Sequence, residues 1–170
     1  CLFVTAYNEQ DVVELKVQNS FNLNYPKDKI QYLWMTDGSN DETTKWLQHY
    51  PEIQVEHLPE RRGKIHAINR GMQFVKAPFV IFSDSNPLLS EKAIQELIRP
   101  LQDSTIGCVA GEKRIKKKDL DTAASSGEGF YWKLESFIKQ MDARFNSAVG
   151  AAGELFAIRT ALYEEIPADT

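Results

Sequence analysis

At 170 residues, 42% of them hydrophobic and 26% charged, the chain can bury one sizeable core and is too short for two ordinary domains. A formal net charge of −4 leaves no bulk basic footprint, so nucleic acid is not an expected partner and any anionic ligand must be held by a local site. Two cysteines, Cys1 and Cys108, are too few for a disulfide framework and fit a reducing cytosol, and no apolar run approaches the length of a membrane span.

In chain order, strand-like runs alternate with helical patterns: strand 1–5, helix 11–21, strand 30–36, helix 41–50, strand 53–57, helix 64–75, strand 79–83, helix 91–101 and strand 106–111. Such alternation predicts βαβ units around a mostly parallel, Rossmann-like sheet with helices on both faces, and strands that are apolar throughout. The rhythm then changes to a long helical stretch over 120–145, a small-residue turn and a last strand over 155–158. Both ends read as cut: the chain opens without methionine in an apolar run and stops as a helix begins, so flanking segments, membrane helices among them, are expected.

In an open α/β sheet, functional side chains collect at the carboxyl edge of the strands. Three strand ends carry polar clusters there: Thr5-Ala6-Tyr7-Asn8-Glu9, Asp37-Gly38-Ser39-Asn40-Asp41-Glu42-Thr43 and Ser83-Asp84-Ser85-Asn86. Asp41 or Asn40 reads as turn and helix-cap chemistry. Asp37 precedes the turn, where a carboxylate can accept hydrogen bonds from a base or ribose. Asp84 and Asn86, two residues apart before Pro87, offer oxygen ligands for a hard divalent cation that shares substrate phosphates, with an Asx turn as the competing explanation. Between these clusters, 59–71 places basic residues and Gly63 before a helix start, a place for a diphosphate. It is not a Walker loop, since the glycine spacing is wrong and Ile65 stands in place of Ser or Thr, and no GxGxxG follows the first strand.

The order Val4-Thr5-Ala6-Tyr7-Asn8-Glu9, Asp37-Gly38-Ser39-Asn40-Asp41-Glu42-Thr43, Gly63-Lys64 with Asn69-Arg70-Gly71, Phe82-Ser83-Asp84-Ser85-Asn86 and Gly150-Ala151-Ala152-Gly153-Glu154 closely resembles family 2 glycosyltransferases with the GT-A fold. The resemblance covers nearly the whole chain, dividing it into a nucleotide-sugar-binding part over about 1–112 and the start of an acceptor-binding part over about 113–170. It implies that Thr5, Tyr7 and Glu9 surround the nucleoside, that Asp37 hydrogen-bonds the base, usually uracil, and that Lys64 with Arg62 meets the diphosphate. Asp84 would open the family's DXD element at the ribose and the metal, Mn2+ or Mg2+. Asn86 departs from that element by removing one negative charge. Gly150, Ala151, Gly153 and Glu154 would shape the acceptor side.

The implied activity is inverting transfer from a UDP-sugar to a carbohydrate or lipid-linked acceptor, on the cytoplasmic side and in contact with a membrane through flanking segments. Its general base is expected in an acidic pair beyond Thr170, with Glu154 and Asp169 the nearby and weaker candidates. A non-catalytic nucleotide-sugar-binding module of a polysaccharide-assembly complex is the alternative, and a nucleotidyltransferase is disfavoured by the missing Gly-rich phosphate loop. The run Lys113 to Lys118 reads as a solvated loop. Phe130, Tyr131, Trp132, Leu134, Phe137, Ile138 and Met141 read as core and groove wall, and the scattered His49, His57 and His66 do not read as a metal site.

Overall fold

The computed structural model describes residues 1–112, 137–138, 141 and 154–167. The basic run at 113–118, Trp132, Gly150, Ala151, Gly153, Asp169 and most of the helix expected over 120–145 lie outside the described residues. The elements are β1 (Leu2–Ala6), α1 (Val13–Phe21), β2 (Tyr32–Asp37), α2 (Thr43–Gln48), β3 (Ile53–Leu58), α3 (Lys64–Met72), β4 (Phe79–Asp84), α4 (Ala93–Ile98), β5 (Cys108–Ala110) and β6 (Leu155–Arg159).

Among the described residues six strands form one sheet in the order β3-β2-β1-β4-β6-β5. The first four are mutually parallel, and β6 runs antiparallel to both β4 and β5. Because side chains alternate across a strand, each central strand feeds two cores. Leu2, Val4, Tyr32 and Trp34 pack on one face against Val13 and Val17 of α1, Leu47 of α2 and Leu97 of α4. Phe3, Leu33, Met35 and Phe82 pack on the other against Ala67 and Ile68 of α3. Among the described residues, helices thus cover both faces of a doubly wound sheet, with α1, α2 and α4 on one side and α3 on the other. At Gly71 a Cβ would collide with the Phe3 ring and the Met35 sulfur, so α3 owes its close seat on β1 and β2 to that glycine.

Two expectations are corrected. The strands are not apolar throughout: β3 is an edge strand on which Gln54 and Glu56 are only half-buried and His57 is exposed, and in β5 both Cys108 and Ala110 are exposed. Edge strands have one neighbour and incomplete cover, so polar side chains there cost little. Phe137 and Ile138 are exposed rather than core; apolar spacing on a helix predicts a face, and does not say what that face packs against. Helix ends also shift inward for identifiable reasons. α4 stops at Ile98 because Pro100 cannot continue it, and residues 100–102 close as a 3-10 turn. α3 stops at Met72, after which the amides of Phe74 and Val75 bond back to Gly71 and Met72.

Candidate functional site

Register brings the polar strand ends together. Thr5 of β1 pairs across to Met35 on one side and to Asp84 on the other, and Asp37 closes β2 opposite Leu58. The loops after β1 and β2 are laced to each other. Asn8, held at φ 52, donates from Nδ2 to Asn40 Oδ1 at 2.9 Å and accepts from the Asn40 amide at 3.0 Å. The Glu9 amide donates to Thr43 Oγ1 and the Gln10 amide to Asp41 Oδ2. Asp41 also accepts from the Thr43 amide at 3.0 Å, the first turn of α2. Burial pushes its carboxyl up, but the hydrogen bonds from Thr43 and Gln10 outweigh that and hold it below its usual range. Asn8, Asn40 and Asp41 therefore shape the floor of the edge and leave Thr5, Tyr7 and Asp37 as its ligand-facing candidates.

Asp37 is buried, and its two oxygens differ. Oδ2 accepts from the amides of Arg62 at 2.8 Å and Gly63 at 2.6 Å, tying the segment before α3 onto the end of β2. Oδ1 is buried and has no hydrogen-bond partner among the described residues. Gly38 makes this approach possible: at φ +73 it turns the chain, and a Cβ there would lie 2.5 Å from Arg61 Cβ and 2.7 Å from the Arg61 backbone. Arg61 in turn lays its guanidinium over the exposed ring of Tyr7, 3.9 Å from the centroid. Arg62 is exposed and its side chain pairs with Glu60.

At the end of β4, Lys64 Nζ from the first turn of α3 contacts Asp84 Oδ1 at 2.5 Å. Both groups are partly exposed, so the pair is solvent-screened. Asn86 is exposed two residues on, and the Asp84 amide donates to the Glu154 carbonyl at 3.2 Å, which sets Glu154 beside this turn. Among the described residues no three His, Cys, Asp or Glu side chains gather as a metal cluster. One carboxylate and one carboxamide are a poor cage for a hard cation but a workable partial set for one that also binds diphosphate oxygens.

Two residues at this edge, Lys16 and Arg61, were not given a role from the sequence. Lys16 of α1 is fully buried; its Nζ donates to Ser83 Oγ at 2.8 Å and to the Pro87 carbonyl at 2.5 Å. Burial pulls its ammonium down to about 8, with the charge of Asp84 pulling the other way. A lysine between Val13 and Val17 on the apolar stripe of α1 was the available signal. Arg61 was hidden inside a basic run. Asn69 of α3 clamps the chain after β6, its Nδ2 donating to the Ile166 carbonyl at 2.7 Å while its Oδ1 accepts from the Ile166 amide at 3.1 Å and from the Tyr163 hydroxyl. A cavity of about 680 Å³ lies between Leu58 at the end of β3, Arg62, Arg70 of α3 and Pro167, and of the ligand-site residues expected from the sequence Arg62 lines it.

Residues 1–167 match the glycosyl transferase family 2 model. The chain is 25% identical over 161 residues to a beta-monoglucosyldiacylglycerol synthase of Synechocystis sp., covering 91% of this chain and 33% of that protein. It superposes on the mannosyltransferase PcManGT from Pyrobaculum calidifontis, solved in complex with GDP-Man and Mn2+, with a TM-score of 0.75 at 23% identity, covering 99% of this chain and 47% of that one. Glucosyl-3-phosphoglycerate synthase from Mycobacterium tuberculosis, in complex with Mn2+, UDP and glucosyl-3-phosphoglycerate, gives 0.62 at 17% identity, covering 95% and 56%. These solved structures share the GT-A fold with this chain. The chain spans about a third of the length of the curated relative and about half of each solved one.

Proposed function

The chain belongs to glycosyl transferase family 2, and on that premise we propose that it forms the donor-binding part of an enzyme that passes a sugar from a uridine diphosphate carrier to an acceptor hydroxyl with inversion. The observation that carries the reading is Asp37 Oδ1, a buried acceptor without a donor among the described residues. An unmet buried acceptor costs on the order of 1–3 kcal/mol, and a base N–H would meet it. With Oδ2 already taken by two loop amides, a single oxygen remains. That suits the one imide N–H of uracil better than the paired N–H groups of guanine, which want both carboxylate oxygens. The base reaches Oδ1 by adjustment of the loop before α3, the segment that also carries Arg61 over Tyr7.

In this reading Lys64 leaves Asp84 for the diphosphate, and Asp84, freed, faces the ribose and the shared cation with Asn86 as a neutral second oxygen. Bound Mn2+ or Mg2+ supplies charge neutralisation of the departing diphosphate. Lys64 adds a second positive charge at the same oxygens. The acceptor, carbohydrate or lipid-linked, approaches from the Glu154 side, and we place the reaction on the cytoplasmic side of a membrane. A thermal-shift comparison of UDP with GDP, each with Mn2+, tests the base assignment, because a ligand that binds only the folded state raises the melting temperature by mass action. UDP should give the larger shift; an equal or larger shift with GDP would reject the single-oxygen argument.

A further inference from the structure

We propose that Lys16 is a positioning residue of the donor site, its buried ammonium tying together the two ends of the turn that carries Asp84 and Asn86. What the turn binds rests on the nucleotide-sugar reading above; the clamp itself is read from geometry.

A lysine ammonium taken out of water is unfavourable unless its donors are met, and Lys16 is fully buried. An aliphatic side chain would fill its slot between Val13 and Val17 without that desolvation cost. Its acceptors bracket the turn: Ser83 Oγ lies on the last residue but one of β4, and the Pro87 carbonyl follows Asn86. The Ser83 hydroxyl, accepting from Lys16, donates in turn to the Asp84 carbonyl at 2.9 Å, so the ammonium reaches the backbone of Asp84 through one relay. One step along the same face of α1, Asn19 grips the next residues, its Nδ2 donating to the Leu89 carbonyl at 2.9 Å and its Oδ1 accepting from the Leu89 amide at 2.8 Å. Helix α1 thus holds the stretch from Ser83 to Leu89 at both ends, and Pro87 contributes no amide of its own that could tether it. Lys64 meets the Asp84 carboxylate from the open side, and Lys16 supports the same residue from beneath.

The test combines hydrogen exchange on the ligand-free protein with calorimetric titration of UDP and of uridine, for wild type and Lys16→Met. A clamp predicts faster exchange at the Ser85 and Asn86 amides, by about tenfold, with β1 and β2 unaffected. It also predicts UDP affinity reduced about tenfold and uridine affinity reduced clearly less, since uridine would meet the turn only at its ribose whereas UDP would meet it at ribose and diphosphate together. Should Lys16→Met not fold, Ser83→Ala, which removes the relay and leaves the ammonium, decides on the same readouts with changes in the same direction. Unchanged exchange and UDP affinity would overturn the proposal, and so would a fall in uridine affinity equal to that in UDP affinity. A loosened turn in a protein whose wild type binds neither ligand would uphold the clamp and overturn the nucleotide reading instead.

Discussion

Single positions at the strand-end edge differ mainly in how much of their hydrogen-bonding capacity the fold has already used. Asp41 is taken up by Gln10 and Thr43, Asn40 by Asn8, and half of Asp37 by the loop before α3. To a ligand the edge offers Oδ1 of Asp37, without a donor among the described residues, and the partly exposed Lys64–Asp84 pair. Asn86 contributes a dipole where a second carboxylate would contribute a charge, so cation affinity should rest on Asp84. Manganese titration followed by electron paramagnetic resonance, with UDP present, should show weaker binding for Asp84→Asn and tighter binding for Asn86→Asp, and silence of both would remove Mn2+ from the site.

At the scale of elements, α1 is both a core helix and the support of a functional turn, and this dual role has a pH signature. Burial lowers the Lys16 ammonium from 10.5 to about 8. The folded chain therefore gives up that proton before the unfolded chain does, and stability rises with pH across that window. The full shift corresponds to roughly 3 kcal/mol as an upper bound, from about 1.4 kcal/mol per pH unit. Urea unfolding at pH 7 and at pH 9.5 should show the wild type gaining on Lys16→Met as pH rises; a constant difference would mean that the ammonium is not held in a desolvated slot. The sequence revealed α1 by its 3.6-residue apolar rhythm, and that same rhythm hid Lys16, because an amphipathic pattern reports which face is inward without saying which inward residue carries a charge. The three polar strand ends were legible because alternation of type puts them on one edge of a parallel sheet. The lacing of Asn8 to Asn40, the stacking of Arg61 on Tyr7 and the clamp of Asn69 on Ile166 were not, since each depends on loop conformations set by Gly38 and by contacts distant in sequence.

For the whole molecule, layer order followed from local periodicity, but strand order did not. The run at 155–158 reads as one more strand, and only long-range pairing reveals it as β6, inserted antiparallel between β4 and β5. That insertion brings the Glu154 carbonyl to the Asp84 amide, so the segment expected on the acceptor side abuts the strand end expected on the donor side. No described helix is long and apolar enough to cross a membrane. The net charge of −4 means that an anionic ligand relies on the local cations at 61–64, and binding should weaken as salt rises. The central claim, that the carboxyl edge of this sheet holds a uridine diphosphate through Asp37, is tested most directly by isothermal titration of UDP into wild type and Asp37→Ala with Mn2+ present. Binding to wild type should be saturable and one-to-one and should weaken about tenfold or more in the variant, as expected for loss of a buried hydrogen bond to a carboxylate; equal affinity in the two proteins, or no binding to either, would contradict it.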